Sequence, residues 1–162
     1  METLLRMCWF QAGPQDLPYS RQLLLLLVLG AGALSILSLQ MLPEESRAIE
    51  RVLLHTALGL AVPYALLQLR GRVNRFMQTA SAIFGTSMLL TLVVLPALLA
   101  LARAPDEPVV WAAYWWLGVV IWSVAVLGHI FRHALDVSLA VGVGLSLLYY
   151  GASMLLNQML TP

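Results

Sequence analysis

The chain has 162 residues, of which 60% are hydrophobic and 10% charged. A soluble domain carries about 25% charged residues, so this chain has too few to cover a water-facing surface, and disorder needs the opposite composition. Net charge is +1, which gives no electrostatic footprint for a nucleic-acid partner, and the single cysteine, Cys8, excludes an intramolecular disulfide or a cysteine metal cage.

Lipid is the remaining solvent, and there only helices or closed barrels satisfy the backbone. Residues 1–19 form an N-terminal segment. In residues 2–11 (ETLLRMCWFQ), Glu2 and Arg6 share one helical face, while Leu4, Leu5, Cys8 and Trp9 crowd the other. That pattern predicts a short interfacial helix lying flat on a membrane. It has neither the early apolar run nor the cleavage site of a secretory signal. GPQDLPYS, with two prolines and a glycine, then turns the chain. Five apolar runs follow, at about residues 22–41, 51–69, 77–102, 109–130 and 135–160. Each matches the roughly 20 residues a spanning helix needs. All are too long and too uniformly apolar for barrel strands. The expected fold is all-α: a polytopic membrane domain over residues 20–162, preceded by the interfacial segment.

The short breaks, PEESRAIER, RGRVNR, RAPDEP and FRHALD, carry nearly all the charge. With alternate breaks on alternate sides, side A holds Arg6, Arg21, Arg70, Arg72, Arg75 and Arg132. Side B holds Arg47, Arg51 and Arg103. The arginine bias predicts side A to be cytoplasmic, with the N-terminus inside and the C-terminus outside. Glu44, Glu45, Glu50, Asp106 and Glu107 also fall on side B, but acids weigh little in this rule. All nine basic residues are Arg. Together with the abundant Leu, Ala, Val and Gly, this points to a GC-rich bacterial gene, hence to an inner membrane with a periplasmic C-terminus. Trp111, Tyr114, Trp115 and Trp116 form an aromatic belt where the fourth span starts on side B.

Small and polar residues mark expected contacts between spans. Gly142, Ser146, Tyr150, Ser153 and Asn157 fall on one stripe of the fifth span. Ser81 and Gly85 make a small-xxx-small pair on the third, and Ala31, Ser35 and Ser38 share a face of the first. The stripe reads either as a helix–helix interface or as the polar lining of a substrate path.

Ionisable residues within spans are candidate functional groups. His55 lies one turn inside the second span, at side B, stacked with Gly59 and Pro63. His129, His133 and Asp136 would share one face if the fourth helix continued through them. Two histidines one turn apart with a carboxylate can ligate zinc, or iron with open positions. The same residues also fit a helix end that snorkels, with Arg132 and Asp136 as an i,i+4 ion pair. Arg70, Arg72 and Arg75 can bind anionic lipid headgroups, or serve only as the orientation signal. No nucleotide loop, intramembrane carboxylate pair, HExxH or GxSxG is present. The reading is therefore non-enzymatic, with no cofactor assigned apart from that metal.

Two stretches carry a resemblance to a known family. RFMQTASAIFGTSMLLTLVVLP resembles the third span of Yip1-domain membrane proteins, and WWLGVVIWSVAVLGHIFRHALDVSLAVGVGL resembles their fourth-to-fifth junction. The resemblance covers roughly residues 20–160 and implies five spans with short loops. Eukaryotic members act in vesicle traffic and bind small GTPases through a long cytosolic region that has no counterpart here, so the resemblance implies fold rather than partners. The leading functional expectation is a scaffold or assembly subunit acting by helix contacts, with the bilayer and another membrane protein or a second copy as partners. Two alternatives stand beside it: a metal- or small-ligand-binding protein using the His129, His133 and Asp136 face, and a small oligomeric carrier or channel.

Overall fold

The structure is a computed structural model and describes residues 2–40, 47–103 and 109–160. The expected end of the first span at Met41, and the side-B acids Glu44, Glu45, Asp106 and Glu107, lie outside the described residues. Six helices and no strand occur among the described residues: α1 (Glu2–Cys8), α2 (Arg21–Leu39), α3 (Ala48–Leu69), α4 (Phe76–Arg103), α5 (Val110–Leu135) and α6 (Leu139–Leu160). Among them, α2 to α6 are long and apolar enough to cross a membrane. The chain is thus an all-α multi-pass membrane protein.

The caps explain the boundaries. Ser20 caps α2, its hydroxyl accepting from the Leu23 N–H at 3.2 Å. The α3–α4 connection is short: Gly71, at φ +64°, supplies the left-handed step, and Val73–Arg75 form one 3-10 turn. The largest shift from expectation is at the other side-A turn. α5 does not stop near residue 130 but runs to Leu135. Asp136 ends it in the left-handed region (φ 58°, ψ 55°), and Val137 N–H donates to the Arg132 carbonyl at 3.1 Å. This is a Schellman ending, and aspartate tolerates that conformation better than most residues. FRHAL, expected as part of a break, is therefore helical.

Helix α4 is the axis of the bundle. Its most apolar stretch is 39% buried, against 22% for each of the other four spans. It packs against α2 and α5 on opposite flanks, α3 touches it more lightly, and α6 pairs with α5. The burial is concentrated near side A. Every residue from Thr79 to Thr86 of α4 is buried, as is every residue from Val126 to Phe131 of α5. Further towards side B, only Leu90 and Ala97 of α4 and Ala112 and Val119 of α5 are buried.

The N-terminal segment fills the side-A half. Its helix docks on the bundle along one side. Leu4, Met7 and Cys8 of α1 face the bundle, and Ala12, Gly13, Pro14 and Leu17 after it are buried too. A Cβ on Gly85 would lie 2.6 Å from a Leu4 methyl, so the missing side chain is the socket for Leu4. The expected apolar face is split in two. Leu4 and Cys8 go inward, while Leu5 and Trp9 stay exposed beside Phe10. The groove between α4 and α5 gives Leu4 a fitted socket at Gly85 and gives the arm's carbonyls fixed donors on Gln78, Trp122 and His129.

Candidate functional site

Three side chains of the bundle hold the N-terminal arm by its backbone. Trp122 Nε1 donates to the Cys8 carbonyl at 2.9 Å, and Gln78 Nε2 donates to the Leu17 carbonyl at 2.6 Å. His129 Nε2 lies 3.0 Å from the Ala12 carbonyl. A carbonyl only accepts, so Nε2 carries the proton and only Nδ1 keeps a lone pair for any other purpose. Phe10 sits edge-on to the His129 ring at 5.4 Å. Cys8 is buried in the same contact, and burial pushes its thiol above the usual range, away from a reactive thiolate.

This arrangement bears directly on the expected metal face. His129 and His133 are adjacent, with ring centroids 4.5 Å apart. Asp136 does not join them. It turns to Arg72, with an oxygen 2.9 Å from the guanidinium, rather than to Arg132 as its spacing suggested. The left-handed backbone at Asp136 takes its side chain off the helical face on which the i,i+7 spacing relied. Among the described residues no three His, Cys, Asp or Glu side chains come together as a metal-ligating group.

The arginine cluster is also engaged. Arg75 donates to the carbonyls of His133 and Ala134 at 3.2 and 3.3 Å, serving the end of α5 where carbonyls lack helical partners. Arg72 holds Asp136, whose carboxyl is drawn below the usual range first by that hydrogen bond and then by the charge of Arg72. Arg70 stays exposed. Of the three residues expected to meet lipid headgroups, two tie the side-A turns together.

The stripe on α6 divides. A Cβ on Gly142 would collide with the Gly128 carbonyl, and one on Gly128 would lie 3.0 Å from the Val143 Cα. Here the α5 and α6 backbones touch, as small residues permit. Ser146 is fully buried, its hydroxyl proton shared between Val124 O of α5 at 2.9 Å and Val143 O at 2.8 Å. Ser81 is likewise buried beside the Gly85 socket. Ser153 is buried as well. Tyr150 and Asn157 do something else: they line a cleft.

That cleft, of about 430 Å³, lies in the side-B half and is walled by all five spans. α3 contributes Arg51, His55 and Thr56, and α2 contributes Ser35 and Ser38. α4 adds Ser87 and Thr91, and α5 adds Ser123 and Trp116. Phe84, Leu90 and Val119 form apolar wall. His55 Nδ1 faces the Tyr149 hydroxyl at 3.4 Å, so its Nε2 is the ring nitrogen left for other contacts. The Asn157 side-chain carbonyl is buried without a partner among the described residues. Most wall hydroxyls donate to their own helix: Ser38 to Leu34 O, Thr91 to Ser87 O and Ser123 to Val119 O. Their lone pairs remain available to a guest.

Sequence reasoning singled out His55, Ser35, Ser38, Tyr150 and Asn157 one span at a time, the last two on a stripe read as packing or as a path lining, and did not assemble them into one site. Arg51 reads as a loop charge, and Ser87, Thr91 and Ser123 went unremarked. The available signal was one of phase and level. Arg51 and His55, Ser87 and Thr91, and Tyr150 and Asn157 recur at helical spacing in the side-B halves of their spans. Comparison with family models, with curated proteins and with solved structures finds no match.

Proposed function

We propose that this membrane protein is non-enzymatic and binds a small polar or amphiphilic ligand in the side-B cleft. The observation that carries the reading is the cleft itself: about 430 Å³ walled by five helices with converging polar groups. Its volume is in the range of small-molecule sites, roughly 300–1,000 Å³. A cleft of this polarity within apolar spans is costly unless water or a ligand satisfies it.

Binding fits the geometry better than assembly or free passage. Gly142, Ser146 and Gly85, which could have served an interface with another protein, are engaged within the chain. A scaffold role then falls to the outer apolar faces, which lipid already suits. A channel would need an opening at side A, where the N-terminal arm and the Gly128–Gly142 contact leave little space. The arginine bias supports side A as cytoplasmic, in a bacterial inner membrane, so the cleft faces the periplasm. The Yip1-like layout belongs to the same proposal and rests on the two motif stretches alone.

The test is native mass spectrometry of protein purified in a mild neutral detergent. The comparison is with Ser35→Leu/Thr91→Leu, which fills the cleft. A small molecule carried by the natural chain and missing from the filled one is the expected result. Equal occupancy, or none in either protein, overturns the reading.

A further inference from the structure

The hydrogen-bonding of the cleft wall selects the kind of guest, an inference that rests on the ligand-binding reading. We infer that the guest carries a neutral polyhydroxyl head, whose O–H groups donate to hydroxyl oxygens of the wall, and an apolar body against Phe84, Leu90 and Trp116.

A serine or threonine hydroxyl has one proton and two lone pairs. In the cleft wall those protons are committed. Ser38 donates to the Leu34 carbonyl at 2.8 Å and Ser87 to the Phe84 carbonyl at 2.9 Å. Thr91 donates to the Ser87 carbonyl at 2.9 Å and Ser123 to the Val119 carbonyl at 2.7 Å. All four line the cleft, from α2, α4 and α5. What each can offer a guest is therefore an acceptor. Asn157, on the α6 wall, adds a side-chain oxygen that is buried with no hydrogen bond, and an unmet buried acceptor is costly. A guest that donates hydrogen bonds answers these groups, and one that only accepts does not.

These acceptors are neutral and spread over several helices, which suits several separate O–H groups on neighbouring carbons. An ammonium would bring a full charge to oxygens that carry none, and a buried charge is costly without a charged partner. His55 points the same way. With Nδ1 at the Tyr149 hydroxyl, its Nε2 donates or accepts according to the tautomer, and a hydroxyl meets it in either form. Apolar side chains complete the wall, so a bare polyol would leave apolar surface wet. A head and a body are both required.

Two sources supply this chemistry: a lipid of the side-B leaflet with a sugar or glycerol headgroup, or a water-soluble amphiphile. The full-length protein is placed in nanodiscs of phosphatidylcholine, whose headgroup has no hydrogen-bond donor. Hexylglycerol, its dimethyl ether, hexylamine and glycerol are each titrated against tryptophan fluorescence, with Trp116→Phe as the reference for signal arising in the cleft. Hexylglycerol is expected to give a saturable change that Trp116→Phe lacks. The dimethyl ether, which keeps every oxygen and loses both donors, should bind at least tenfold more weakly. Thr91→Val/Ser123→Ala removes two acceptors and should weaken hexylglycerol roughly tenfold, the scale of two hydrogen bonds, while leaving the dimethyl ether unchanged. In parallel, nanodiscs doped with a glucosyl diacylglycerol are dissolved and the protein is weighed by native mass spectrometry. Retained glycolipid that is lost in Thr91→Val/Ser123→Ala assigns the lipid source. Hexylglycerol binding without retained glycolipid assigns the soluble one.

The dimethyl ether binding as tightly as hexylglycerol overturns the donating head while leaving the cleft as a binding site. Equal hexylglycerol affinity in Thr91→Val/Ser123→Ala and the natural chain does the same. Hexylamine binding more tightly than hexylglycerol overturns the neutral head, and glycerol binding as tightly overturns the apolar body. Failure of every probe and of the glycolipid, together with no bound molecule in the natural chain, overturns both the inference and the binding reading.

Discussion

The two halves of the bundle are built from the same kinds of residue and end up differently. The side-A half is dry and close-packed, and the side-B half is hollow. Apolar content does not separate them. What sets the side-A half apart is a set of side-chain hydrogen bonds to other segments. Trp122, His129, Gln78, Arg75 and Ser146 each reach the backbone of another segment, although Thr79 and Thr86 turn back onto their own segment. In the cleft wall, Ser38, Thr91 and Ser123 turn back onto their own helices, while towards side B Trp115 donates to the Val93 carbonyl and the Tyr149 hydroxyl faces His55. A hydroxyl bonded to its own helix satisfies itself without drawing a neighbour closer. In lipid, where helices gain no hydrophobic advantage from meeting each other, such cross-links and small-residue contacts decide which spans close up.

The sharpest way to break the contrast is at the closest backbone approach. Gly142→Leu should force α5 and α6 apart and cost about 3 kcal/mol, the upper end of overpacking. Gly151→Leu, on α6 where no atom lies within 4 Å of the added Cβ, should change little. Thermal unfolding in detergent measures both, and equal effects would dissolve the distinction between the halves. Next in size, Leu4→Ala empties the Gly85 socket and should cost about 2–3 kcal/mol. Gly85→Ala should partly expel Leu4, read as faster proteolysis of the arm. Smaller again is Trp122→Phe, which leaves the Cys8 carbonyl without its donor and should cost about 1–2 kcal/mol. Thr91→Ala, on the cleft wall, should stay within about 0.5 kcal/mol. A Thr91→Ala cost matching that of Trp122→Phe would show that the wall hydroxyls do hold helices together.

The smallest expected effect is one of pH. The Asp136 carboxyl is held below its ordinary value by Arg72. Its contribution is therefore fully present above the unfolded value of about 4 and is lost as pH falls through the lower folded value. Asp136→Asn, which keeps a residue tolerant of the left-handed turn, should remove part of the acid-induced drop in unfolding temperature below about pH 4. The pair is exposed, so the change at neutral pH should be slight. An unaltered acid limb in the variant would remove Arg72–Asp136 from the account of side A.

The five spans were legible because length and apolarity suffice to define them in lipid. The α6 stripe was half legible: Gly142 and Ser146 behave as small-residue contacts, whereas Tyr150 and Asn157 need the positions of α2, α3, α4 and α5 before their role is visible. Gly128, the partner surface of Gly142, went unremarked because one glycine in an apolar helix carries no label. The arm was legible as a helix but not as a filler, since its docking depends on donors at Gln78, Trp122 and His129, more than 60 residues away in sequence. The partner of Asp136 was not legible either: at φ 58° it turns to Arg72 and away from the His129–His133 pair that its helical spacing suggested.

Arg72 and Arg75 also make the two side-A turns interdependent. Both belong to the α3–α4 connection, and their partners lie at the end of α5 and in the residue that stops it. Until the chain has been made as far as Asp136, neither arginine has these partners, so the clasp between the turns is among the last contacts of this half that can form.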